Sequence, residues 1–101
     1  MVDVRTVTIH KRLLEASAQE ENLKTITDVF DEKTCKMLKN RYWKAKHKYL
    51  VYANTKLIAG SDDINNIAGR ISFYLRHQGG SIVVIEKETE KVFGCFYRFI
   101  G

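Results

Sequence analysis

Residues 79–99 read GGSIVVIEKETEKVFGCFYRF, and this stretch decides the fold. Ser81 to Glu86 and Val92 to Phe99 are dense in β-branched and aromatic residues, which suit a pleated, half-buried surface. The charged run Lys87-Glu-Thr-Glu-Lys91 separates them, so the two halves predict an antiparallel hairpin at the centre of a sheet. A glycine inside the second strand, Gly94, lets a neighbouring backbone or bulky ring approach it.

Upstream of the hairpin, Gly79-Gly80 ends a predicted helix whose apolar stripe is Ile64, Ile67, Ile71, Tyr74 and Leu75. Ser61-Asp62-Asp63 supplies its start, since a Ser cap and two carboxylates suit exposed amides. Tyr49 to Ala53 predicts a strand, and Asn54-Thr55 either turns it into a hairpin or extends it. Asp31 stands as the N-cap of a long predicted helix from Glu32 to His47, and Leu23, Ile26, Val29 and Phe30 before it fall at helical spacing. At the start, Val4 to His10 predicts a strand from its β-branched residues, followed by helix over Lys11 to Glu21. There is no proline, so every break comes from Gly, Asn, Asp or Ser. The order strand, helices, strand, helix, hairpin predicts an α+β fold, and 101 residues with 45% hydrophobic content suffice for one domain, residues 1–101.

No apolar run approaches the roughly 20 residues of a membrane span, and the first residues lack the apolar block of a signal peptide. Cys35 and Cys95 are the two cysteines, without a CxxC pair, so a reduced, cytoplasmic protein is expected rather than a disulfide scaffold or zinc module. His10, His47 and His77 are scattered, with no spacing that aims two at one metal. A cysteine, a histidine and a carboxylate meeting in space, for example Cys95, His77 and Asp62, or a pocket gathering His77 or His10 with Cys95 or Asp62, would activate a nucleophile, and chance supplies such groups widely. No phosphate loop occurs, because Gly79-Gly80 precedes a strand. We expect no catalytic residue, no cofactor and no metal, and binding rather than catalysis.

Charge is concentrated. Seventeen Lys and Arg against twelve Asp and Glu give +5, yet residues 33–56 hold eight basic residues and no acid, which leaves the rest of the chain at −3. At about 100° per residue, Cys35, Leu38, Tyr42, Ala45 and Tyr49 form an inward stripe. Lys36, Trp43 and His47 then share the far face, flanked by Lys33, Lys44 and Lys48, with Lys39 and Arg41 in the same segment. Lysines around an exposed indole suit phosphates and a stacked base, so the expected partner is anionic, either nucleic acid or an acidic protein surface. The same lysines also read as a plain solvated face, with the indole under its own neighbours. A ribbon-helix-helix arrangement, with Arg5-Thr-Val-Thr-Ile9 as a groove-reading strand, explains less, because it leaves the β-rich second half without a purpose.

Tyr49-Leu-Val-Tyr52, Gly60-Ser-Asp-Asp63, Gly79-Gly-Ser-Ile-Val-Val-Ile85 and Val92-Phe-Gly-Cys-Phe96 together resemble the order of signals in TLDc domains, over about half of the chain. In that family a strand ending in Tyr leads to a Ser-x-Asp-Gly-like loop, a helix, a Gly-led apolar strand and a Val-Phe-Gly-Gly-Tyr-like strand. Asp63 stands where the family has Gly. The resemblance implies a non-enzymatic protein-interaction domain linked to oxidative-stress protection and proton-pump binding, and it carries no catalytic residue onto this chain.

Overall fold

The computed structural model describes residues 4–42 and 45–97. Within them, the helices α1 (Val4–Ala18), α2 (Ile26–Val29), α3 (Glu32–Tyr42) and α4 (Ala68–His77) enclose strands β1 (Tyr49–Ala53), β2 (Lys56–Ser61), β3 (Ser81–Glu86) and β4 (Val92–Tyr97). The strands form one antiparallel sheet in the order β2-β1-β3-β4, so the α+β architecture is as expected. β3 is interior, but its hairpin partner β4 is an edge; β1 takes the other central place.

Side chains alternate across a strand, and here both faces are covered. Tyr49, Val51, Ala53, Ile82 and Val84 pack beneath Ile9 and Leu13 of α1 and Ala68, Ile71 and Leu75 of α4. Leu50, Tyr52 and Ile85 pack on the opposite side against Ile26 of α2 and Cys35 and Leu38 of α3. That double cover explains why all five residues of β1 are buried.

The first segment departs from expectation: residues 4–10 are helix, not strand. Burying Ile9, Leu13 and Ala16 at i, i+4 and i+7 against α4 and the sheet outweighs the weak strand preference of Val and Thr, and Val7 is left outside. A ribbon-helix-helix arrangement thereby loses its strand. The Asn54-Thr55 ambiguity resolves as a hairpin, with both residues at positive φ (51° and 70°), the signature of a type I′ turn.

Several caps follow the sequence. Asp31 Oδ1 accepts from Thr34 N–H at 2.8 Å, and hydrogen bonds from Thr34 hold its carboxyl below the usual carboxylate range. Asp63 accepts from Asn65 N–H at 2.9 Å and starts a 3₁₀ turn, Ile64–Asn66, ahead of α4. Gly79 and Gly80, at φ 72° and 89°, reverse the chain into β3. No helix among the described residues is long and apolar enough to cross a membrane.

Candidate functional site

The expected basic helix face is broken up by the tertiary structure. Among the described residues, helix α3 spans Glu32–Tyr42 and does not reach His47. Residues 45–47 have no regular structure, because the chain is pinned to the sheet end: Lys48 N–H donates to Asp62 Oδ1 at 2.8 Å, Lys87 N–H donates to the Lys48 carbonyl at 2.8 Å, and the Lys87 ammonium donates to the Ala45 carbonyl. Trp43 and Lys44 lie outside the described residues, and Arg41 belongs to the last turn of α3. The expected inward stripe is likewise divided, since Cys35 and Leu38 enter the second core whereas Tyr49 enters the first.

On α3 every described lysine has a carboxylate at hand. Lys36 lies 3.5 Å from Glu32 one turn back, Lys39 lies 3.3 Å from Glu90 of the β3–β4 turn, and Lys33 stands close enough to Asp31 to help lower its pKa. Glu90 and Asp31 are invisible to a count confined to residues 33–56, which is why the helix reads as more cationic than it is.

Other cations gather at the end of the sheet where β1 begins. Lys46, His47, Lys48 and Lys87 line a hollow of about 360 Å³ together with Asp62 and Glu88. Asp62 is already engaged, by the Lys48 amide and by His47 Nδ1 at 3.7 Å. The imidazole of His47 lies against Gly60, where an added Cβ would stand 2.8 Å from its Cδ2, so Gly60 gives the ring its seat. Sequence reasoning found His47 and Lys48 but placed them on the helix; it missed Lys46 as a participant, and Lys87 looked like an ordinary turn residue.

Behind this rim is a feature with no sequence signal. Glu86, on β3, is only 4% exposed, and its Oε2 has no hydrogen-bond partner among the described residues; Oε1 accepts from the Thr89 hydroxyl at 3.3 Å. Burial, then the Glu20 carboxyl beside it, push the Glu86 carboxyl above its ordinary 4.5, against the pull of Lys48 and Thr89. In the same cluster, the Lys48 ammonium sits 5.3 Å from the Tyr49 ring centre, and Tyr49, then Glu86, raise its pKa. The Lys91 ammonium holds the Glu20 carbonyl at 2.6 Å.

For an acid with a raised folded-state pKa, the native chain keeps a proton that the unfolded chain releases as pH rises past 4.5. The stability that Glu86 contributes is therefore fully present below that value and is lost as pH climbs through the raised one. Glu86→Gln should flatten this slope and raise the urea midpoint at pH 7, since a buried charge is replaced by a neutral amide; urea titrations of both proteins between pH 4 and pH 8 check it. An unchanged slope would show that Glu86 is ionised and satisfied.

A second surface, on α4, was not singled out from sequence. Phe73 is 64% exposed, and its ring centre lies 4.3 Å from that of His77, tilted by 46°. Beside it a cleft of about 310 Å³ is lined by Ile58, Ala59, Gly69, Arg70, Phe73 and Tyr74. A signal existed: Phe73 falls opposite the stripe Ile67, Ile71, Tyr74 and Leu75 on a helical wheel.

The nucleophile triple is not assembled by the topology. Asp62 anchors the entry to β1, His77 stacks on Phe73, and Cys95 lies in β4 at the opposite edge of the sheet from β2. Cys35 is buried as expected of a core thiol, its Sγ 3.3 Å from the Ile26 carbonyl, whereas Cys95 is only half-buried and burial raises its pKa. Among the described residues no three His, Cys, Asp or Glu side chains are placed to hold a metal. No protein-family model, curated protein or solved structure matches the chain.

Proposed function

We propose that this protein is a small binding module rather than an enzyme, and that it meets an anionic partner on the sheet-end rim of Lys46, His47, Lys48 and Lys87. The observation that carries this reading is the contrast in charge pairing. Each described lysine of α3 has an acid at hand, while the rim gathers Lys46, His47, Lys48 and Lys87 around one hollow; there His47 faces Asp62 and Lys48 feels Glu86 behind it, but Lys46 makes no ion pair among the described residues. Lysines clustered within a few ångströms of one another attract phosphates or carboxylates over about a Debye length. Both cysteines are free, which supports a reducing, cytoplasmic setting.

Lys46→Glu is the cleanest test, because Lys46 is exposed and makes no ion pair among the described residues. Retention on heparin and on duplex DNA should drop, and the slope of log K against log salt should shrink by about 0.9 for each duplex phosphate no longer neutralised. Lys36→Glu on α3 should change retention far less. Equal losses from the two variants would return the binding surface to the helix, and retention unchanged by Lys46→Glu would remove the rim.

A protein partner is the second reading. It rests on the sequence signals over residues 49–96, Tyr49-Leu-Val-Tyr52, Gly60-Ser-Asp-Asp63, Gly79-Gly80 and Val92-Phe-Gly94, whose order resembles that of TLDc domains. In that case apolar substitutions should matter more than salt.

A further inference from the structure

We infer that the outer face of α4 is a stacking site for the unpaired bases of a single-stranded nucleic acid, a surface that shares no residue with the cationic rim. A phenylalanine bared over most of its ring leaves apolar area in water without a packing gain, and Phe73 does so within a built arrangement. His77, one turn on, holds its ring against it, which extends the aromatic surface along the helix. Arg70, one turn before, is exposed and brings a cation to the adjoining cleft. The whole of α4 contains no Asp or Glu, so an anionic backbone meets no repulsion from the helix itself.

The shape also fits a flat ring. A bulge in β2 makes Ala59 and Leu57 pair with consecutive residues of β1, and the skipped Ile58 turns to the same side as Ala59. These two side chains form an apolar floor, and Gly69 leaves the wall open, since a Cβ there would meet nothing within 4 Å. At about 310 Å³ the cleft sits at the lower end of the range for small-ligand sites. An apolar floor, an aromatic edge and a guanidinium rim together match a base with its phosphate. Duplex DNA keeps its base faces stacked and cannot use such a floor, so the surface selects single strands.

Fluorescence anisotropy with fluorescein-labelled dT12, an abasic strand of equal length and charge, and a duplex tests this. Wild type should bind dT12 more tightly than the abasic strand. Phe73→Ala should weaken dT12 binding by about 5- to 100-fold and leave duplex and abasic binding unchanged, whereas Phe73→Trp should preserve it. Arg70→Ala should reduce the single-strand salt slope by about 0.7. The exposed position of Phe73 means the variants should melt as wild type does, checked by circular dichroism. Equal binding of dT12 and the abasic strand, or dT12 binding that survives Phe73→Ala, overturns the inference. If dT12 binding is instead lost in Lys46→Glu and kept in Phe73→Ala, the rim stands and the α4 site falls. Absence of any single-strand binding, with an extended peptide captured along β2 instead, also overturns it.

Discussion

Phe96→Ala should destabilise the protein by about 3–5 kcal/mol, the usual cost of emptying an aromatic site in a packed core. Phe96 is 1% exposed and stands in register with Ile82 on the β3–β4 ladder. It sits in the same core as Ile9 and Leu13, and the Arg12 guanidinium of α1 lies 4.7 Å from its ring centre. Removing the ring thus leaves a void where α1 meets an edge strand, and it also strips Arg12 of its cation–π partner. Typical domains are stable by only about 5–15 kcal/mol, so the loss is a large share of the total and should lower Tm by at least about 12 °C.

The same ring explains Gly94. It folds back along its own strand, so that a Cβ on Gly94 would stand 2.7 Å from Phe96 Cε2. Gly94→Ala should cost about 1–3 kcal/mol through overpacking. In a Phe96→Leu background the smaller side chain vacates that space, so the double variant should lose less than the sum of the singles. Strict additivity in urea denaturation would show that the glycine answers to something other than this ring.

Tyr52→Ala should carry a loss of similar size, about 3–5 kcal/mol, on the opposite face of the sheet. Tyr52 is 1% exposed among Ile26, Cys35, Leu38, Leu50 and Ile85, and its hydroxyl donates to the Leu38 carbonyl at 3.2 Å, tying α3 to β1. Tyr52→Phe keeps the ring and removes that bond, and should cost about 0.5–1.5 kcal/mol. Because one sheet serves both cores, either alanine variant should lower the stability of the whole chain in a single transition. A separate early transition confined to α3, seen by amide hydrogen exchange, would show that the second layer folds independently. Equal losses from Tyr52→Phe and Tyr52→Ala would assign the effect to the hydroxyl alone.

Legibility in the sequence followed the range of the deciding interaction. The β3–β4 hairpin, the Asp31 cap, the Gly79-Gly80 reversal and the α4 stripe were readable because each depends on residues within a turn or two of one another. The segment VRTVTIH was misread because its β-branched residues suit a strand locally, and only the neighbours of Ile9 and Leu13 in the folded chain make helix the better solution. The length of α3 was overestimated for a similar reason: Asp62 and Lys87, distant in sequence, hold residues 45–48 out of the helix.

By itself, then, the chain's order of residues determined an α+β domain, its main turns and caps, and the fact that positive charge is unevenly distributed. Which charges remain unbalanced was decided only by the tertiary structure, which brings Glu90 to Lys39, moves Lys46, His47 and Lys48 to the sheet end beside Lys87, and leaves Phe73 outside a core that the rest of α4 helps to fill. The physical reason is that electrostatic pairing and burial depend on distance in space. Local sequence sets the periodicity of each element but not which distant carboxylate or apolar face will be folded against it.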